Sequence, residues 1–477
     1  MHMHLNIIAL LSLMALLTGC VTPLSRDGIF PNVNAPYKGQ SALEHAALWH
    51  ADWAQDKDPV QSGWWKLYGD TELNGLVEKA FAQNPNINQI RARLIQAEAQ
   101  SRSARSALLP SLDFTGERTT SDGHNAPASD FTATGAARYE LDLWGKNRFL
   151  WKSNRLLTRA AREDIYTATI SLTATIAEHW LDILSLHEQE ALARKQIEIN
   201  ESILSLQEKR FEMGTSRALD VLQQKENLAR SQSQLPDILS ALDQTKNTLS
   251  VLLGDTPSDT ILVSKKSLPE PLPVPTVGLP VDLIETRPDV IAAWQRLKSA
   301  KWAEKSAFAD RFPSFNLSAL YSSSAGKIDA LFDSWLLNLI AGVSAPIIDG
   351  GSRRAEQLRQ KALGDERFHA YKETVLNAVL DTENALTRNL YQDQKVTAIK
   401  KQLNASYKTL EQAQLSYANG NSTYINVLNS INNTQGLEQE LTREKLILAK
   451  ERVSLYRALG GRHWAKDNEQ KLAEGRD

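Results

Sequence analysis

"SYANGNSTYINVLN" (Ser416–Asn429) breaks a stretch that otherwise reads as uninterrupted helix, and "RFEMGTSRALDVLQ" (Arg210–Gln223) breaks the first half of the chain in nearly the same way. Aligning Gly214 with Gly420 gives an offset of 206, at which Val221 meets Val427, Leu222 meets Leu428 and Gly254 meets Gly460 without a gap. Leu235, Leu242 and Leu249 then match Leu441, Leu448 and Leu455, a heptad in the same phase in both copies. A seven-residue apolar repeat holds one seam toward a partner helix and predicts coiled-coil packing. Upstream, Lys146 to Met213 contains neither Pro nor Gly, and its counterpart, Ser352 to Asn419, contains only Gly364. Each run predicts a rod of roughly 100 Å at a rise of ~1.5 Å per residue. Return helices of about 39 residues are expected after each glycine. Gly214 and Gly420 are therefore hairpin tips, where glycine supplies φ > 0. Thr215, Ser216, Asn421 and Ser422 are suited to cap the helices that follow.

A second match lies earlier in each half at an offset of 203. Pro85, Arg93, Leu94, Ala97, Ala104, Pro110 and Ser111 recur as Pro288, Arg296, Leu297, Ala300, Ala307, Pro313 and Ser314. After each lies a pair of amphipathic segments: "SLDFTGERTT" with "FTATGAARYELDL", and "SFNLSALYSS" with "WLLNLIAGVSAPI". Period-two alternation between Gly-, Ser- and Pro-rich connections predicts a β-hairpin in each half. Trp144, Trp151, Tyr139, Tyr321 and Trp335 fall near the strand ends, where interfacial belts form; Trp151 fits equally inside a helical wall. The Pro-rich "SLPEPLPVPTVGLP" joins the halves and is expected to be extended.

The chain has 477 residues, a net charge of −2 and one cysteine, so neither a basic nucleic-acid surface, an internal disulfide nor a Cys-based zinc site is expected. That cysteine, Cys20, closes "LNIIALLSLMALLTGC", an apolar run too short to span a bilayer comfortably and shaped like a signal peptide. "LTGC" resembles a lipobox, which makes Cys20 the lipidated first residue, although "MHMH" lacks the usual Lys or Arg. Val21 rather than Asp at the next position points to the outer membrane. The expected organisation is a signal peptide (1–19), a lipidated N-terminal segment (20–70), a first repeat (71–254), a linker (255–281), a second repeat (282–461) and a tail (462–477). The fold class is mainly α with a membrane β-barrel, in two tandem repeats of helix, β-hairpin, long helix and shorter helix. Four strands cannot close a barrel, and lipid tolerates no open edge. Three copies supply twelve strands and room for a pore, whose wall the helices continue as a tunnel.

The sequence resembles the outer-membrane efflux factors of the TolC/OprM type, in their lipoprotein branch. "GWWKLYGDTELNGLVEKA", "YELDLWGKNR", "GLPVDLIETRPDVIAAWQRL" and "SAPIIDGGSRRAE" carry the resemblance, which covers essentially the whole chain. It implies a homotrimer anchored in outer-membrane lipid and reaching into the periplasm. Such a trimer is the exit duct of a tripartite pump, completed by a periplasmic membrane-fusion adaptor and an inner-membrane transporter. It also implies that Met213, Gly214, Thr215, Asn419, Gly420 and Asn421 meet the adaptor; the alternative is that they serve only the turn. Ile425, Asn426 and Asn429 would line the periplasmic entrance, with asparagines where well-known members carry aspartates, or else be ordinary surface residues. Asp220 and Tyr417 would link neighbouring helices and hold the entrance shut, with a Tyr–carboxylate hydrogen bond open to them. No HExxH, P-loop or GxSxG pattern is present, so neither an enzyme nor any cofactor beyond the covalent lipid on Cys20 is expected. Small-molecule export is the leading reading. Type I protein secretion, metal-ion efflux and a pore-free lipid-anchored coiled-coil scaffold remain alternatives.

Overall fold

The computed structural model describes residues 63–121, 128–257, 263–275 and 286–460. Cys20, the signal segment, nearly all of the 20–70 segment, parts of the linker and the 462–477 tail lie outside the described residues. In chain order the elements are α1 (Thr71–Gln83), α2 (Pro85–Ser106), β1 (Ser111–Ser121), β2 (Ala128–Leu141), α3 (Lys146–Glu212) and α4 (Ala218–Leu252). The second half supplies α5 (Pro288–Ala309), β3 (Ser314–Ala325), β4 (Trp335–Ser344), α6 (Ser352–Ala418) and α7 (Tyr424–Leu459). Short 3-10 turns lie at Trp64–Tyr68 and Ile328–Ala330.

The duplication extends to details of chain geometry. α2 and α5 are both 22 residues long with Pro in the first turn, where its missing N–H costs nothing. α3 and α6 are both 67 residues long and both start from a left-handed glycine, Gly145 or Gly351. An aspartate just ahead takes orphan N–H groups of the first turn. Asp142 accepts from Asn147 and Arg148 at 3.0 and 2.9 Å, and Asp349 from Gly351 and Arg353 at 2.9 and 3.3 Å. The return helices α4 and α7 are 35 and 36 residues long, shorter than the expected 39, because Thr215–Arg217 and Asn421–Thr423 are spent on turning. The first half opens with α1, set off from α2 at Asn84, whose side chain accepts the Ile87 N–H.

The four strands form one antiparallel sheet in the order β1-β2-β3-β4. Its registers put Phe114, Tyr321, Leu317, Leu337 and Leu339 on one face and Asp113, Glu117, Arg138, Asn316 and Ser318 on the other. The apolar face is bare: Leu112 is 80% and Leu339 77% exposed, which in water is unfavourable and in lipid is not. β1 and β4 each have one unpaired side in the described sheet.

Below the sheet the helices form a wall in a consistent order. The Thr158 hydroxyl of α3 donates to the Ala97 carbonyl of α2, Ser153 of α3 meets Ser299 of α5 at 2.8 Å, and Trp294 of α5 lies 5.2 Å from Tyr371 of α6. Further down, α4 takes the place of α2 and α7 that of α5, as the Gln224–Asn200 and Ser406–Thr434 bonds record. Midway, an aromatic and aliphatic core ties the wall together. Trp64 stacks on Tyr456 at 5.6 Å, Tyr68 lies 5.4 Å from Trp180, and Leu272 of the linker is buried beside them. In the heptad series Leu242, Leu249, Leu448 and Leu455 are buried, and Leu235 and Leu441 partly so. Residues 263–275 of the linker carry neither helix nor strand. No helix among the described residues is long and apolar enough to cross a membrane.

Candidate functional site at the helical tips

Both long helices end in the same hydrogen-bonded stop. At the first tip, Gly214 (φ 69°) donates to the Phe211 carbonyl at 2.9 Å and Thr215 to that of Arg210 at 2.8 Å. At the second, Gly420 (φ 75°) donates to Tyr417 at 3.0 Å and Asn421 to Ser416 at 2.9 Å. These 5→2 and 6→1 pairs define a Schellman motif, and glycine is needed for its left-handed backbone rather than for space. A Cβ on either glycine would meet nothing within 4 Å.

The expected caps therefore belong elsewhere. Thr215 and Asn421 close the helix behind them, and the Thr215 hydroxyl adds a second bond to Arg210 O at 3.0 Å. The residues flanking the next helices are Arg217 and Thr423. What satisfies the first of these is Asp220, whose carboxylate accepts the Arg217 N–H at 3.3 Å. Asn426 stands at the matching place in the second repeat and donates to Ser422 Oγ at 2.9 Å.

The expected Tyr417–Asp220 hydrogen bond is not formed. Tyr417 donates instead to Gln207 Oε1 at 3.4 Å, beneath the Arg210 guanidinium, which lies 4.7 Å from its ring. Ser216 Oγ sits 3.0 Å from the same Gln207 oxygen and 3.3 Å from Asp220 Oδ2, so the two residues are joined through Ser216 and Gln207. The physical reason is that Asp220 is committed to the start of its own helix. Ile425, Asn426 and Asn429 share the exposed side of the first turns of α7, while Tyr424, Val427, Leu428 and Ile431 form a small apolar cluster on the other.

Above this cluster lies a feature that sequence reasoning missed, a layer of buried amides. Tyr424 donates to Gln224 Oε1 at 2.6 Å, and Gln224 Nε2 donates to the Asn200 carbonyl at 2.9 Å. Asn227 donates to Asn200 Oδ1 at 3.2 Å, and Gln439 bridges Gln196 and Gln234 at 2.8 and 3.0 Å. Gln196, Asn200, Gln207, Gln224 and Asn227 are all buried. Their spacing was visible: 196, 200, 207 on α3 and 224, 227, 231, 234 on α4 follow the three-four rhythm of core heptad positions, with polar residues where apolar ones are usual. Burial, with Tyr417 and Asp220 close by, pushes the Tyr424 hydroxyl well above its ordinary pKa, so it remains a neutral donor. The layer joins the α3/α4 hairpin to α7 without an ion pair at its centre. Among the described residues no cluster of His, Cys, Asp or Glu could hold a metal ion.

A protein-family model described as outer membrane efflux protein matches residues 76–255 and 279–461. The chain is 30% identical over 429 residues to the pyoverdine export outer membrane protein OpmQ of Pseudomonas aeruginosa, covering 85% of this chain and 88% of that protein. It is 28% identical over 416 residues to the outer membrane protein OprJ of the same organism, covering 83% and 86%. The solved structure of the Campylobacter jejuni CmeC outer membrane channel superimposes with a TM-score of 0.78 over 88% of this chain and 93% of that one; at 20% identity this speaks to the fold alone. Duplicated rods, a single two-faced sheet, paired glycine tips and the family match lead to one conclusion: the chain belongs to the outer membrane efflux protein family.

Proposed function

We propose that three copies of this chain assemble into the exit duct of a tripartite efflux pump, carrying small molecules from an inner-membrane transporter and a periplasmic adaptor to the exterior. The observation that carries the reading is that sheet and wall are open at matching edges. β4 and α6 end the protomer on one side, and β1, α2 and α4 end it on the other. An interface between two such unlike edges is head-to-tail and closes into a ring when the rotation permits. Lipid requires closure of the sheet, and three copies give the twelve strands that leave a lumen. The relatives named for pyoverdine export favour a small-molecule cargo over a polypeptide. The duct needs no catalytic chemistry and no cofactor; Cys20, after loss of residues 1–19, carries the lipid that adds an anchor to the outer membrane.

At the periplasmic end the two tips, Met213–Thr215 and Asn419–Asn421, meet the adaptor. Ile425, Asn426 and Asn429 line the closed mouth, Ile425 as an apolar collar and the asparagines as an amide ring without the field of a carboxylate ring. Asp220 and Tyr417 belong to the network that holds that mouth shut. Reconstitution of the purified protein in planar bilayers tests the whole reading. A trimer with measurable conductance and weak cation selectivity is expected. Monomeric, impermeable material refutes the duct, and strong cation selectivity arising at the entrance refutes the amide ring.

A further inference from the structure

Just beneath the sheet, four cations, Lys152, Arg155 and Arg159 of α3 and Lys305 of α5, stand outside the ion pairs found among the described residues. Two of them share the ring of Trp302, with Lys152 Nζ 4.6 Å and Lys305 Nζ 4.3 Å from its centroid. Phe149 backs the indole at 5.4 Å. Glu304, the nearest acidic residue in sequence, is engaged by Lys301 at 3.4 Å. Burial, and then the charge of Lys152, hold the Lys305 ammonium below its ordinary pKa, as expected where two like charges share one aromatic ring.

The side on which these cations lie follows from the sheet. Lys146 bridges Glu140 at 3.3 Å and Asp310 at 3.2 Å, and Glu140 lies on the polar face of the sheet with Arg138. At ~100° per residue, Leu150 and Leu157 project within about 40° of Lys146, whereas Lys152, Arg155 and Arg159 project roughly 120–180° away. The cations therefore continue the apolar face. Lys152 lies ~9 Å and Arg155 ~13 Å below the start of α3, the depth from which snorkelling side chains reach a headgroup layer ~5–8 Å thick.

We propose that Lys152, Lys305 and Trp302, with Arg155 a turn below, bind the phosphate of an anionic phospholipid headgroup in the inner leaflet of the outer membrane. The proposal rests on the duct reading, which places the apolar face in lipid and the helices in the periplasm. The chemistry matches: phosphate oxygens accept from both ammonium groups, its charge relieves their repulsion, and an indole prefers the bilayer interface.

The test reconstitutes the full-length protein in phosphatidylethanolamine with a minor fraction of phosphatidylglycerol, re-extracts it in detergent and quantifies the retained lipid. Wild type is expected to enrich phosphatidylglycerol, and Lys152→Gln/Lys305→Gln to weaken that preference roughly thirty-fold, the combined effect of two basic residues at an anionic surface. Lys152→Arg/Lys305→Arg keeps it. Equal enrichment in wild type and the Gln pair overturns the site, as does loss in the Arg pair as complete as in the Gln pair. Release of the lipid by millimolar inorganic phosphate marks a free-anion site and overturns the headgroup assignment. Conductance in planar bilayers of the same lipids is read separately: enrichment without conductance sinks the duct and leaves the lipid site standing.

Discussion

The helices α3 and α6 have the same length, the same glycine start and the same tip, yet α3 buries 21 residues and α6 only 11. α3 stands in the middle of the wall, covered by α2, α4, α5 and α7. α6 stands at its edge, with Leu358, Leu376, Leu380 and Tyr391 from 54% to 66% exposed along one stripe. Gene duplication made two equivalent rods, and position in the wall made them unequal. An apolar stripe on a water-exposed helix is costly, and in the proposed trimer this stripe is the side on which the next copy packs.

That contrast can be broken by experiment. The largest effect is expected from Leu376→Asp/Leu380→Asp, which places two carboxylates where the next copy must pack; buried unpaired charge costs about 3–5 kcal/mol per site. The trimer should be absent by native mass spectrometry while helix content by circular dichroism is kept. A stable trimer would mean that the stripe faces solvent. On α3 the corresponding injury is internal. Trp180 is fully buried, and Trp180→Ala should cost ~3–5 kcal/mol, read as a lowered unfolding midpoint of the protomer itself.

The tips sharpen the comparison on a smaller scale. Tyr424→Phe leaves the buried Gln224 carbonyl oxygen without its donor, at a cost of about 1–3 kcal/mol. We expect higher basal conductance than from Tyr417→Phe, since the Tyr424 bond is 2.6 Å long and the Tyr417 bond 3.4 Å. The reverse order would return the latch to Tyr417. The smallest effects belong to Gly214→Ala and Gly420→Ala, each about 1–2 kcal/mol, because only the left-handed backbone is strained. Gly254→Ala should cost more in thermal stability, since its Cβ would lie 2.7 Å from the Gln83 carbonyl as well.

Much of this architecture was legible because its signals are periodic and duplicated. Two offsets, a shared leucine heptad and two Pro- and Gly-poor runs specified rods and tips, and alternation specified the strands. Less visible were features in which one local rule yields to another. Pro236 would end a helix by local preference, yet α4 runs through it as the expected return helix required, since the leucine seam against α3 outweighs one lost hydrogen bond. Thr215 and Asn421 look like caps for the next helix but finish the previous one, because a Schellman stop needs the N–H two residues beyond the last helical turn. Asp220 looked like a partner for Tyr417 but is held by Arg217 and Ser216, three and four residues before it in sequence.

The order of helices and strands, the places where the chain reverses and the two-faced character of the sheet were determined by the sequence alone, since each depends on residues close together along the chain. The tertiary structure decided which of two equal rods is central, which polar residues at core positions become a closed amide layer, and which cations stand outside the ion pairs found among the described residues. Those outcomes depend on contacts between segments some two hundred residues apart, such as Tyr424 with Gln224, and no local pattern specifies them.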